Sequence, residues 1–351
     1  MDDVGRMPAT DRADLFAAAA AQRGLSPEII EKDFWVCWTL KRLFGLPKEP
    51  AGLIFKGGTS LSKVYGAIRR FSEDVDLSFD RKGLGIKGAA DPGASKTRKA
   101  RDRSLEALSA KCRTYVQDTY LPLLRAAIAD ALHTGTAVEW ELSPAGEDEQ
   151  GQTILFQYPR TGRTRRADEP AYVQPVVRLE FGARSEHWPA IDATVQPYAA
   201  DELPALFKDP KCQVRVLAGE RTFWEKATVL HMWHHAPADK HFRDRQSRHY
   251  YDVACLHDHD VGRRAVKDAA LLSEVARHKS VFFPAAWARY DLAKPGNLRL
   301  VPPLSRLPEL ERDYAKMREM IFEAAPTFGE LIAKLTSIEA AINGAAGATG
   351  G

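Results

Sequence analysis

Asp74 and Asp76 are the two residues whose type and spacing point most directly to chemistry. They belong to the stretch Asp-Val-Asp-Leu-Ser-Phe at residues 74–79, whose alternating pattern predicts a β-strand. Residues two apart share one face of a strand, so both carboxylates would project opposite Val75 and Leu77. Two nearby carboxylates repel each other unless a cation neutralises them, and Mg²⁺ (or Mn²⁺) bridging them to phosphate oxygens would do so. The pattern therefore predicts a metal-assisted phosphate site.

A glycine pair precedes these aspartates. The apolar run Leu-Ile-Phe at 53–55 predicts a short buried strand that ends at Gly57 and Gly58, where the backbone can turn tightly and approach a ligand. Thr59 is predicted to cap a helix after the turn, and the N–H groups there would be available to a phosphate. This helix is predicted to turn Lys63 away from the core. For an isolated aspartate pair the simpler interpretation is a solvated strand end, but the strand–turn–helix beside it favours a nucleotide site.

A third acid lies on a later predicted strand, at residues 173–181. Arg178 and Glu180 share one face of that strand, opposite Val177 and Leu179. If the strand lies beside the two aspartates, Glu180 would project with them. The alternative is an Arg–Glu pair at a sheet edge, and the residues alone leave both interpretations open.

The second candidate cluster lies between residues 222 and 256. Thr222 and Glu225 have the spacing of a capping box, which predicts a helix from 222 to about 235. Lys226 falls on the apolar face of that helix, where it would either extend outward or contact triphosphate oxygens. A further helix is predicted from about 244, with Asp252 one turn after Arg248. Arg248 could pair with Asp252 or contact phosphate or RNA.

The string FKGGTSLSKVYGAIRRFSEDVDLSF, at residues 55–79, resembles the first motif of a known toxin family. This family is the AbiEii/AbiGii branch of the polymerase-β-like nucleotidyltransferases. Later segments support the resemblance: VRLEFGARS at 177–185, TFWEKATVLH at 222–231 and RHYYDVACL at 248–256. Together they span most of residues 50–256, whereas the C-terminal third resembles the family only as a helical tail.

The resemblance implies a fold, an activity and a set of site residues. The implied fold is α/β (α+β), a nucleotidyltransferase core with a mixed sheet, N-terminal helices and a helical C-terminal region. The implied protein is the toxin of a bacterial type IV toxin–antitoxin (abortive infection) pair, with a separately encoded antitoxin. It would transfer a nucleoside monophosphate from a nucleoside triphosphate to an RNA such as tRNA and so inhibit growth.

By resemblance, Asp74, Asp76, Lys226 and Asp252 are catalytic residues, and Glu180 is a third metal ligand or a base for the incoming hydroxyl. The predicted nucleotide-binding residues are Lys56, Gly57, Gly58, Thr59, Ser60, Lys226 and Asp252. Two other classes of protein remain as alternatives: a metal-dependent glycosyltransferase, which also uses an Asp-x-Asp pair, and a non-catalytic RNA-binding module.

Composition and charge restrict the number of domains and the class of protein. The 351 residues can form one large domain or two smaller ones, and 44% hydrophobic with 28% charged residues is typical of a soluble globular protein. No apolar stretch reaches the roughly 18 residues of a membrane span, and the N-terminus lacks a signal-peptide core, so a cytoplasmic protein is predicted. Four scattered cysteines favour reduced thiols. The predicted domains are residues 1–48, 49–205 and 206–345, with a tail at 346–351.

Basic residues are unevenly distributed although the net charge is only +3. Residues 95–113 hold seven Lys or Arg against two acids, and residues 159–166 add four arginines. Patches of this density attract phosphate backbones, although each could also be a solvated surface. The candidate RNA-binding residues are Arg98, Arg101, Arg163, Arg165 and Arg248.

The remaining pattern predicts helical structure at 11–46, where Gly24 ends a first helix and Ser26-Pro27 opens a second, a further helix at 97–133 and a loop at 80–98. Strands are predicted at 136–142, 153–158 and 191–197, in addition to those named above. The histidines His231, His234, His235 and His241 lack the spacing of a zinc site and are predicted to be ordinary helix-end residues.

Overall fold

The computed structural model describes residues 1–46, 51–72, 74–133, 139–161, 174–242, 244–322 and 324–344. Arg163, Arg165, most of the basic patch at 159–166, the start of the strand predicted at 136–142 and the predicted tail at 346–351 lie outside these residues. The chain forms two compact units that alternate along the sequence. The first contains Met1–Val64, Ser72–Asp91 and Asp102–Val216, and the second contains Tyr65–Phe71, Pro92–Arg101 and Leu217–Gly351.

The first unit is built around a mixed sheet. Its strands within the described residues are β1 (Leu53–Lys56), β2 (Asp74–Phe79), β3 (Glu141–Pro144), β4 (Thr153–Gln157), β5 (Val177–Glu180), β6 (Ala190–Val195) and β7 (Cys212–Leu217). Their order in the sheet is β3-β4-β5-β2-β1-β7-β6. β2 is antiparallel to β1 and parallel to β5, and β1 is parallel to β7. The predicted α/β fold with a mixed sheet is therefore confirmed.

Two strands differ from the sequence prediction. β3 begins at Glu141, so the strand predicted at 136–142 is wrong in its placement, because Glu139 and Trp140 precede the pairing with β4. β7 was not predicted at all. Its Cys212, Val214 and Val216 are buried while the residues between them are exposed, which is the alternation of a half-buried strand.

The first unit also contains helices. They are α1 (Asp2–Gly5), α2 (Ala9–Arg23), α3 (Pro27–Gly45), α4 (Gly57–Lys63), α5 (Arg98–Thr114, in this unit from Asp102 onward), α6 (Leu121–Ala131) and α7 (Tyr198–Glu202). Of these, α3 and α4 pack on the sheet. A π-helical segment, Tyr115–Tyr120, joins α5 to α6. Gly24 ends α2 with a left-handed φ of 72°, and the Ser26 hydroxyl accepts the Ile29 N–H at the start of α3, as the sequence predicted. Trp38 of α3 stacks on Phe156 of β4 at 5.9 Å, which places α3 on the sheet.

The second unit is helical within the described residues. Its helices are α8 (Gly219–His234), α9 (Ser247–Asp258), α10 (Asp260–Ala265), α11 (Ala269–Phe282), α12 (Leu307–Met317) and α13 (Phe328–Gly344). The predicted capping box is wrong, because α8 begins three residues before Thr222. The Thr222 hydroxyl instead donates to the Ala218 carbonyl at 3.2 Å, and Glu225 accepts from Arg221 at 3.2 Å.

A short strand pairing holds the segment Tyr65–Phe71 within the second unit. Arg70 forms an antiparallel bridge with Ile321, the Phe71 N–H donates to the Met320 carbonyl at 2.7 Å, and the Phe322 N–H donates to the Arg69 carbonyl at 3.0 Å. The residues that precede β2 are therefore fixed by residues near the C-terminus.

The histidines at the end of α8 bind backbone groups. The Arg299 N–H donates to His231 Nδ1 at 3.0 Å, so Nε2 of that ring donates to the Arg289 carbonyl at 2.9 Å. His234 Nδ1 lies 2.6 Å from the Val301 carbonyl. Burial lowers the pKa of His231 to about 4, so this ring is neutral at pH 7. These two histidines connect α8 to residues 289–301.

No helix in the described part of the chain combines the length and the apolar character that crossing a bilayer requires.

Candidate active site

The first cluster lies on β2 and β5 of the first unit. Asp74 and Asp76 are half-buried, and Val75 and Leu77 between and after them are fully buried, as the sequence predicted. The parallel pairing sets Asp76 opposite Glu180 and Asp74 opposite Arg178. Glu180 therefore does lie on the strand beside the aspartates. The alternative ion pair is present as well, because Arg178 Nε lies 2.9 Å from Glu180 Oε1.

Gly57 lies against one of these carboxylates. Its φ is +79°, a left-handed conformation that favours glycine. A Cβ atom at this position would lie 1.9 Å from Asp76 Oδ2, a distance that no real contact allows. Lys56, opposite Asp76 on β1, brings its Nζ to 3.8 Å from Asp76 Oδ1. A side chain at Gly57 would thus displace a candidate metal ligand.

Helix α4 begins at Gly57, with Lys56 as its N-cap, so the prediction that Thr59 caps the helix is wrong. The Thr59 hydroxyl donates to the Asp74 carbonyl and lies 3.3 Å from the Ser72 carbonyl. It therefore connects α4 to the start of β2. The Ser60 hydroxyl donates to the Gly57 carbonyl at 2.9 Å and closes the turn.

Lys63, at the end of α4, has a buried side chain rather than one turned away, so that prediction is also wrong. Its Nζ lies 2.7 Å from Asp33 Oδ1 of α3, and the two side chains are only 4% and 3% exposed. Asp33 Oδ2 accepts the Tyr198 N–H at 2.6 Å, and Lys63 Nζ lies 3.6 Å from the Tyr198 ring centre. Burial alone would lower the pKa of Lys63, but the adjacent carboxylate outweighs it and raises that pKa. This ion pair fixes α4 against α3 and α7.

The second cluster lies in the second unit and contains one carboxylate between two cations. Asp252 of α9 is fully buried. Arg70 Nε donates to Asp252 Oδ1 at 2.7 Å and Arg70 Nη2 donates to Oδ2 at 2.8 Å. Lys226 Nζ of α8 also lies 2.8 Å from Oδ2. Arg70 and Lys226 are 2% and 7% exposed, and we call these three residues the buried triad.

The charges of the buried triad do not balance. Burial would raise the pKa of Asp252, but Arg70 and Lys226 hold it well below its ordinary value, so the carboxylate is ionised. Burial lowers the pKa of Lys226, Asp252 opposes that shift, and Arg70 adds to it. His249 Nδ1 lies 3.5 Å from Lys226 Nζ, and burial together with that ammonium keeps the pKa of His249 well below its ordinary value. An anion that approached Lys226 would meet uncompensated positive charge.

The sequence pattern indicated Lys226 and Asp252, and the structure joins them directly. The sequence pattern did not indicate Arg70, although this arginine lies only four residues before Asp74 in the family-like motif. The candidate RNA contacts that can be described are Arg98, which is exposed at the start of α5, with Arg101 and Arg248, which are half-buried.

A metal ion can be accommodated by the first cluster. Among the described residues, no three His, Cys, Asp or Glu side chains gather into a ready-made metal cage. Mg²⁺ bound with a nucleotide needs no such cage, because one or two carboxylates, substrate phosphates and water usually hold it. Asp74 and Asp76 supply two hard oxygen ligands on one strand face, and this donor set fits that ion.

Comparison with known proteins defines the class of this protein. A model of nucleotidyl transferase toxins from type IV toxin–antitoxin systems matches residues 38–341. The chain belongs to that family, AbiEii, as the motif at 55–79 indicated. No curated protein sequence matches the chain significantly. Among solved structures it is similar to MenT4, a nucleotidyltransferase toxin from Mycobacterium tuberculosis H37Rv, with 16% identity over 95% of this chain and 97% of that one and a TM-score of 0.43.

Proposed function

We propose that this protein transfers a nucleoside monophosphate from a nucleoside triphosphate to an RNA such as tRNA, in a reaction that depends on Mg²⁺ or Mn²⁺. The observation that supports this most is the placement of Asp74 and Asp76 on one face of β2, with the Gly57 turn packed against Asp76. Family membership supports the transferase class, and the strand face supports the metal dependence.

The first cluster would bind the metal ion and the phosphates. Asp74 and Asp76 would hold the ion, with Glu180 as a further ligand or as the base for the acceptor. When bound, the ion would neutralise phosphate charge. The turn residues Lys56, Gly57, Gly58, Thr59 and Ser60 would bind phosphate oxygens, chiefly through backbone N–H groups, since the Thr59 and Ser60 hydroxyls donate to backbone carbonyls.

Lys226 would stabilise the negative charge on the triphosphate, and Asp252 would orient that lysine. In the reaction, an acceptor hydroxyl oxygen forms a bond to the α-phosphorus. The bond from that phosphorus to the oxygen bridging to the β-phosphate breaks, and pyrophosphate leaves with the electron pair. The hydroxyl proton passes to a base, for which Glu180 is the candidate.

An RNA acceptor is supported by the basic residues. Arg98, Arg101 and Arg248 would bind the phosphate backbone together with Arg163 and Arg165. Toxin families of this type imply a separately encoded antitoxin that restrains growth inhibition. We place the reaction in the cytoplasm, which is supported by four free cysteines, because reducing compartments keep thiols unpaired.

The test incubates the protein with total bacterial RNA and each labelled nucleoside triphosphate in turn, with Mg²⁺. We expect label in RNA from at least one triphosphate and none after chelation. Asp74→Asn should reduce transfer at least about 100-fold, because it removes a charge that the ion requires. Asp192→Asn is the matched control, since Asp192 is an aspartate of β6 whose side chain is 78% exposed.

Equal transfer by the two variants would refute the assignment of Asp74. Label from a UDP-sugar in place of a triphosphate would instead identify a glycosyltransferase. Tight RNA binding without any product would identify a binding module.

A further inference from the structure

Arg70 binds both carboxylate oxygens of Asp252 in the buried triad, a contact that its position in the sequence does not indicate. Two N–H groups of its guanidinium each donate to a different oxygen of Asp252, at 2.7 and 2.8 Å. A third nitrogen, Nη1, donates to the Phe71 carbonyl at 3.1 Å. The backbone of Arg70 is held by the bridge to Ile321. The planar guanidinium therefore fixes the plane of the carboxylate, which a lysine ammonium could not do.

Arg70 also limits how strongly Asp252 binds Lys226. Arg70 Nη2 and Lys226 Nζ both lie 2.8 Å from the same oxygen, Oδ2, whereas Oδ1 accepts from Arg70. The lysine thus shares one carboxylate oxygen with a competing cation. A buried cation that a carboxylate only partly compensates gains more from a second anion than a fully paired one does.

We infer that Arg70 is a positioning residue for nucleotidyl transfer: it orients Asp252 and weakens the hold of that carboxylate on Lys226, which leaves the ammonium able to bind phosphate. This inference rests on the proposed function. It adds to the reaction a residue that touches neither metal nor substrate and acts through two others.

The electrostatic consequence follows from the charged groups that surround Lys226. These are Asp252, Arg248 and His249 of α9, and Arg70 of the segment Tyr65–Phe71. Arg70 lowers the pKa of Lys226 by repulsion, while Asp252 raises it. Removing the Arg70 charge would therefore raise the pKa of Lys226 and tie the ammonium to Asp252 more tightly.

The experiment compares Arg70→Gln and Arg70→Lys with Arg69→Gln, a matched control at the neighbouring exposed arginine. Each variant is assayed for kcat and KM with labelled triphosphate from pH 6 to about 10, and its folding is checked by thermal melting. We expect kcat/KM of Arg70→Gln to fall about 100-fold, as misplaced catalytic groups do. The alkaline limb of its pH profile should move to higher pH.

Arg70→Lys keeps the charge but loses the two-nitrogen fork, so its kcat/KM should fall about 10-fold with the alkaline limb unchanged. Arg69→Gln should match the wild type. Folded Arg70 variants within twofold of wild-type kcat/KM and with an unmoved alkaline limb would overturn the inference. Failure of both Arg70 variants to fold would also overturn it, because Arg70 would then be a core residue only. An inactive wild-type protein would refute the proposed function itself, whereas an active wild type with active Arg70 variants refutes only this inference.

Discussion

Replacing Gly57 by alanine should disable the candidate metal site through a single methyl group. The added Cβ would lie 1.9 Å from Asp76 Oδ2, 2.6 Å from its Cγ and 2.8 Å from its Cβ. An ordinary contact begins at 3.4 Å, so the carboxylate oxygen must move by about 1.5 Å. Rotation of the Asp76 side chain moves its carboxylate but leaves its Cβ in place, so the backbone at Gly57 or in β2, which is paired with β1 and β5, must also shift.

Gly66→Ala provides a control with matched backbone strain. Gly66 has a φ of +59°, close to the +79° of Gly57, but nothing lies within 4 Å of the point that an added methyl group would occupy. Each substitution should therefore cost about 1–2 kcal/mol of unfolding free energy for the left-handed backbone. Only Gly57→Ala adds a clash, which should cost a further ~1–3 kcal/mol. A carboxylate displaced by more than about 1 Å should reduce transfer about 100-fold, whereas Gly66→Ala should keep wild-type transfer.

The assay measures single-turnover label transfer to RNA alongside urea unfolding of both variants. Titrating Mg²⁺ separates weakened metal binding from loss of folding stability, because a displaced Asp76 should raise the Mg²⁺ concentration needed for half-maximal transfer. If Gly57→Ala transfers label as well as Gly66→Ala at equal Mg²⁺, the contact between Gly57 and Asp76 has no role in catalysis and the reasoning fails.

Two further predictions concern the pair formed by Asp33 and Lys63. Asp33→Asn and Lys63→Met should each lower the unfolding free energy by about 3–5 kcal/mol, because each leaves one buried charge unpaired, and the double variant should recover most of that loss. Urea unfolding measures this cycle, and strictly additive losses would contradict it. The pKa of Lys63 is raised above 10.5, so the contribution of its ammonium to stability is complete below pH 10.5 and falls as pH rises further. Wild-type protein should therefore lose more stability than the double variant above pH 10.5, and parallel stability curves would refute the ion pair.

Local patterns predicted the elements whose signals are short-range. The Gly24 stop and the Ser26-Pro27 start of α3 depend on neighbours within four residues, and both appear where expected. The shared face of Asp74 and Asp76 follows from strand periodicity alone. These features need no knowledge of distant parts of the chain.

The side chains whose environment the sequence did not predict depend on partners far along the chain. Lys63 resembles a surface lysine on its own helix, and its burial becomes favourable through Asp33, thirty residues earlier, and the ring of Tyr198. In the sequence Arg70 is simply the second of two adjacent arginines, and its ion-pair partner Asp252 lies 182 residues later. β7 carries a clear alternation, but it ends at Leu217 and α8 begins at Gly219, so only Ala218 separates the two elements.

The bridge between Arg70 and Ile321 has a consequence for biosynthesis. Translation runs from the N-terminus, so Arg70 is added to the chain about 250 residues before Ile321. A nascent chain therefore cannot anchor the Arg70 backbone until residues 320–322 have been synthesised. The same dependence means that premature termination between residues 253 and 319 yields a fragment that contains the acidic and basic groups of both clusters but lacks the strand partner of Arg70.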